Sequence, residues 1–307
     1  MPRMTRAMFA SLLATFAVAA APSAASADLL PVADPVTDWS SLLPSLSPQY
    51  DPNDPNICSS GRPRCLDALQ REMTRRYQPL SDSCSHNVMF ALLYLRVTDH
   101  VKQAVWTPGR FDDPRFMTHY TAVFANLYFK GYDAWRSLSP TAPVAWQFAL
   151  DAAKDKQVTA LGNLLLGMNA HINRDLPFVL YSIGLRAPDG TSRKPDHDRI
   201  NAVLYEAYDK AIAEGARRFD SSLSAYTGPN AADSGIQSVI LWREEAWRNA
   251  ERLAWASSDA ERAAISQRIE QSANLEAAAI KAAYSYGVQG GSPADRDAFC
   301  ALHHNDA

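Results

Sequence analysis

Leu161-Gly162-Asn163-Leu164-Leu165-Leu166-Gly167-Met168-Asn169-Ala170-His171-Ile172-Asn173-Arg174-Asp175-Leu176-Pro177-Phe178-Val179-Leu180 is apolar almost all round when wound as a helix. Such a helix is buried. Yet Asn169, His171, Asn173, Arg174 and Asp175 crowd into its middle, and burying polar groups costs free energy unless each is paired. At about 100° per residue, His171 and Asp175 share one face. Asn169 and Asn173 share the opposite one. Pro177 has no N–H, frees the Asn173 carbonyl and is expected to kink the helix there.

Working outward, every other periodic segment is also helical. Leu66 to Tyr77 has helical spacing with a charged face. Ser81, Asp82 and Ser83 are start signals for a helix to about Val105. Phe90, Leu93 and Val97 form its inner stripe, which His86 continues by one turn, while His100 lies on its outer face. Asp112-Asp113-Pro114 opens a helix to about Ser137, with His119 and Asp133 along the border of its apolar stripe. Trp146 to Lys154 is a short helix, and the central helix spans about 158–183. Asp196 starts a helix to Arg218, with His197 expected to face water. Ile236 to Ala256 follows, carrying Trp242, Trp247 and Trp255 as expected core filler, and then Asp259 to about Tyr286. No strand, hairpin or repeat signal stands out. The prediction is an all-α, single-domain bundle of six to eight helices around the buried helix at 158–183.

The chain has 307 residues, 47% hydrophobic and 21% charged, enough to bury a large core. Residues 1–27 read as a signal peptide: Arg3 and Arg6 precede the apolar run Met8 to Ala21, and Ala25-Ser26-Ala27 fits a small-residue cleavage site. The run is too short to span a bilayer. Cleavage before Asp28 removes two cations and no acid, moving the formal charge from −3 to −5. With no basic patch, nucleic-acid binding is disfavoured. The remaining organisation is an extended, Pro- and Ser-rich arm over 28–64, a helical domain over 65–286 and a tail over 287–307. The expected location is secreted or extracytoplasmic, with no transmembrane segment after cleavage.

Four cysteines in an exported chain imply disulfides. Cys58 and Cys65 flank a turn-rich segment and can close a small loop, which leaves Cys84 for Cys300. The absence of Cys-x-x-Cys argues against a redox motif or a cysteine zinc site.

Asn169-Ala170-His171-Ile172-Asn173-Arg174-Asp175-Leu176-Pro177 resembles the signature of a secreted bacterial family catalogued only as a domain of unknown function. The similarity runs from about Ser81 to the C-terminal helices and implies no activity. A looser likeness is to the all-helical zinc phospholipase C and P1-type nuclease group, which places a His and an Asp four residues apart on a buried helix as metal ligands. The present chain departs from that group: no His follows Asp175 within two turns, and there is no later His-x-x-x-Glu.

His171 and Asp175 are therefore the candidate catalytic pair, with Asn169, Asn173 and Arg174 as supporting polar groups. Imidazole and carboxylate at this spacing reach one ion, or the carboxylate orients the imidazole for proton transfer. A third reading is a polar network that fixes helix register. A metal, with Zn²⁺ the natural choice, needs further ligands, and His86, His119 and Asp133 are the candidates. Arg174 is expected to partner a buried carboxylate, with anion binding as the alternative. Gly162 and Gly167 are expected to permit close helix packing. Three functions follow: a metal-assisted hydrolase of an apolar or lipid-like ester or phosphoester, a binding module for a small lipid or cell-envelope component, or a structural envelope protein.

Overall fold

The computed structural model describes residues 46–306, so the expected signal peptide over 1–27 and the first part of the expected arm lie outside the described residues. The helices are α1 (Arg64–Asp82), α2 (Val88–Val105), α3 (Pro114–Arg136), α4 (Val144–Lys154), α5 (Ala160–Met168), α6 (Leu176–Ile183), α7 (Lys194–Arg218), α8 (Pro229–Trp255), α9 (Asp259–Ala283), α10 (Tyr286–Gln289) and α11 (Pro293–His303). A π-helical turn, Asn169–Asp175, joins α5 to α6, and a 3₁₀ segment, Ser221–Tyr226, follows α7. Among the described residues β-pairing is limited to two isolated bridges, Val158 with Ser285 and Arg186 with Ser192. No described helix is long and apolar enough to cross a membrane.

The fold is all-α, with eleven α-helices among the described residues where the sequence spacing predicts six to eight. Part of the excess comes from the expected helix over 158–183, which is two α-helices around a π turn. Within that turn the Leu176 N–H donates to the His171 carbonyl, five residues back. In a regular α-helix the Pro177 ring would clash with the carbonyl four residues earlier. The wider turn just before it accommodates Pro177, which sits in the first turn of α6 where a missing N–H does no harm. The expected kink thus takes the form of a π turn.

The first helix boundary also differs from expectation. α1 does not stop at Tyr77 but runs through Pro79 to Asp82. The chain reverses at Cys84, which has φ of 53°, so Ser81 to Ser83 end one helix and do not start the next. The segment 287–307, expected as a loose tail, contains α11. Two anchors hold it: the Cys84–Cys300 disulfide, and the buried Arg296, whose Nη1 donates to the Cys84 carbonyl and Nη2 to that of Ser85. Closing a loop of 216 residues contributes about 4–5 kcal/mol in the chain-entropy account. Cys58 pairs with Cys65. The described part of the arm packs on α3: the two ring nitrogens of the buried His119 lie 3.0 Å from the Cys58 and Pro48 carbonyls, and Arg115 reaches the Pro52 and Ser60 carbonyls.

α5, the π turn and α6 together contact α2, α3, α4, α8 and α9. Close approach needs the glycines of α5. A Cβ on Gly167 would lie 2.5 Å from the Phe90 ring, and one on Gly162 would lie 2.8 Å from Tyr284. Thr159 caps α5 through the Gly162 N–H, and its own N–H donates to the Tyr284 carbonyl. Gly167→Ala is expected to cost about 1–3 kcal/mol by overpacking α5 against α2. Urea unfolding will check this, and truncating the obstructing ring in Gly167→Ala/Phe90→Leu should recover part of the loss. Full stability in the single variant would contradict the close packing.

Candidate functional site

Asp175 is fully buried. Its Oδ1 accepts from Arg174 Nη1 at 2.8 Å, and its Oδ2 accepts from Trp146 Nε1 at 2.9 Å. His171 Nδ1 lies 3.3 Å from the same Oδ2. The carboxylate can only accept from the imidazole, so the network assigns the proton to Nδ1 and leaves Nε2 as a lone-pair acceptor. Arg174, itself buried, also donates to Glu270 of α9 at 2.8 Å. It is the carboxylate partner expected of it. Asn169 Nδ2 donates to the Ala273 carbonyl of α9, and Asn173 Nδ2 donates to Asn169 Oδ1. The two asparagines tie the π turn to α9 while His171 and Asp175 face the other way.

His171 sits in a cage of rings. Phe124 stacks on it at 3.6 Å between centroids and 6° between planes. Tyr94 lies at 4.5 Å, Phe90 at 5.7 Å, Trp146 at 6.1 Å and Tyr128 at 6.3 Å. Burial lowers the His171 pKa, with the Asp175 hydrogen bond and charge opposing, so the imidazole is neutral at pH 7. Its ring forms part of the wall of a cavity of about 110 Å³ between α2, α3, α5, the π turn, α7 and α8. Leu93, Val97, Leu164, Met168, Ile200 and Val239 supply much of the apolar lining. His171 Nε2 and Tyr94 Oη are both buried without a hydrogen-bond partner.

The other proposed metal ligands are not brought to this place. His86 Nε2 lies 2.9 Å from Asp297 of α11, His119 is held by the arm carbonyls, and Asp133 forms a two-bond ion pair with Arg76. Among the described residues no three His, Cys, Asp or Glu side chains form a group that could hold a metal ion. The set His171, Asp175, His119 and His86 therefore does not fit a metal centre.

Two further expectations are corrected. His197 does not face water: it is buried, with Tyr120 Oη 3.1 Å from its Nδ1 and Trp247 packed beside it. It lies three residues before Ile200, on the same inward stripe, and periodicity alone could have placed it. Trp255 is 73% exposed and is not core filler, whereas Trp247 is buried. Sequence reading also missed Trp146, Tyr94 and Glu270. Tyr94 lies one helical turn beyond Phe90, which was a usable signal. The reach of Trp146 to Asp175 and of Glu270 to Arg174 depends on how separate helices pack, and carries no local signal.

These features define an all-α, disulfide-linked protein with a buried charged network beside an apolar cavity. A model of a family of unknown function (DUF5995) matches residues 66–283, and the chain belongs to that family. The match begins earlier than the Ser81 from which a resemblance is legible, and it spans α1 to α9 with the whole cavity wall. No curated protein and no solved structure matches the chain.

Asp175→Asn removes the charge that Arg174, Trp146 and His171 share. The expected loss is about 3 kcal/mol, the low end for breaking a buried pair because Glu270 still holds Arg174. Chemical denaturation measures it, and an unchanged midpoint would mean that the network contributes nothing to stability. A second prediction concerns pH. Burial lowers the pKa of His86, His119, His171 and His197 from an ordinary value of 6.5. Between that value and the lowered ones the unfolded chain binds protons that the folded chain refuses, so stability falls as pH drops through this window. The melting temperature should decline between pH 7.5 and 5.5, before the carboxylates titrate. A flat profile would contradict the lowered pKa values of these four imidazoles.

Proposed function

We propose that this protein is an exported, non-catalytic binding module that takes a small apolar molecule into the cavity beside His171. The observation that carries this reading is the cavity itself: its wall is mostly apolar, and the six elements that build it all lie within the family-matched region. A volume of about 110 Å³ is of the order that accepts one aromatic ring or a short alkyl segment, as apolar cavities of similar size do. Two disulfides and the sequence of residues 1–27 support an extracytoplasmic location. The likeness to the zinc phospholipase C and P1-type nuclease group rests on His171 and Asp175 alone, and a metal-assisted hydrolase needs ligands that lie elsewhere in the fold.

One observation favours a second reading. Asp175 orients the imidazole and leaves Nε2 as a free base, which is the arrangement of a proton-transfer pair. Such chemistry would act on a substrate held in the same cavity, so ligand binding is tested first.

A ligand that binds only the folded chain raises its melting temperature, by about 2.7 kcal/mol of stability at a hundred times Kd. Toluene and short alkanes are expected to give a concentration-dependent rise. Val97→Phe, which puts a ring into the cavity from α2, should abolish that rise while leaving the fold intact. If wild type and variant respond alike, or neither responds, the cavity is not a ligand site.

A further inference from the structure

The cavity wall holds two rings with unused hydrogen-bonding capacity. His171 and Tyr94 both line it, their centroids are 4.5 Å apart, and His171 Nε2 and Tyr94 Oη are buried without partners. Buried polar atoms are nearly always paired, and an unpaired one calls for an explanation. Here two such atoms belong to neighbouring rings of one wall, one lacking a donor and the other an acceptor. Nδ1–H donates a hydrogen bond to Asp175, so Nε2 needs a donor. Tyr94 has an O–H to give, and burial keeps the phenol protonated.

We infer that the cavity selects apolar molecules carrying one uncharged hydroxyl, an alcohol or phenol of about one-ring size, with His171 Nε2 accepting from that hydroxyl and Tyr94 Oη donating to it. The inference rests on the reading of the cavity as a ligand site. A hydroxyl is at once donor and acceptor, so a single group can serve both side chains. A ketone or ester carbonyl serves Tyr94 and leaves Nε2 unpaired. A carboxylate sets a negative charge against the Nε2 lone pair, and the cation in the lining, Arg243, is already engaged by Asn201 and the His197 carbonyl, so the charge is left costly. A water molecule can make the same two bonds. An alcohol replaces that water and adds apolar contact along the rest of the cavity.

The test uses the mature chain at pH 7.5 with three probes that share one ring: toluene, benzyl alcohol and benzoate. Titration calorimetry is expected to show benzyl alcohol binding at least tenfold tighter than toluene, with benzoate weakest. Tyr94→Phe removes only an O–H that has no partner in the free protein, so it should fold at least as stably as wild type. It should also bring benzyl alcohol down to the affinity of toluene measured in the same variant. Equal affinities for toluene and benzyl alcohol in wild type would overturn the hydroxyl preference and leave the cavity as a binding site. Full benzyl alcohol affinity in Tyr94→Phe, or tightest binding of benzoate, would also overturn it. Failure of all three probes to bind would overturn the cavity reading and this inference with it.

Discussion

The charge of Asp175 is the constraint on which the rest of the structure depends. A carboxylate with no exposed surface is tolerated only when ion pairs and hydrogen bonds replace the water it has lost. Its partners come from its own turn, through Arg174 and His171, and from α4, through Trp146. Arg174 passes the requirement on to Glu270 of α9. Trp146 in turn lies so close to Gly131 that a Cβ there would be 2.7 Å from its ring. One buried charge therefore fixes α3, α4 and α9 relative to the helix that carries it.

The π turn makes this possible. Packed α5 presents glycine to Phe90 on one side and Tyr284 on the other, while Pro177 prevents a regular helix from continuing through Asp175. The extra residue in the turn relieves both demands at once. It sends Asn169 to α9 and leaves His171 and Asp175 toward the ring cage. π turns recur at functional sites for this reason: they re-aim side chains without breaking the helix.

The same packing leaves the cavity. Rings from α2, α3 and α4 surround the imidazole, and this burial lowers its pKa and keeps it neutral. On its far side the wall is aliphatic and unfilled. A neutral base, a protonated phenol and an apolar void next to one another are the elements of the proposed recognition surface, and no single helix contributes more than a part of it.

The sequence by itself determined the helical class and the buried polar helix at its centre of interest, and it pointed to the pairing of the four cysteines that the structure shows. Those features are local: they follow from apolar periodicity, from residue types that cannot be buried unpaired, and from a short loop that can close on itself. The (i, i+4) relation of His171 and Asp175 was legible on the same ground, and so was the carboxylate partner of Arg174. The surroundings of His171 were not. His86, His119 and Asp133 share its chemistry, yet α11, the arm and α1 take up each of them, because partners distant in sequence compete for the same polar groups. Trp146, Tyr94 and the void beside them were decided only when five helices packed around one turn, since a cavity is a property of the space between elements and no segment encodes it alone.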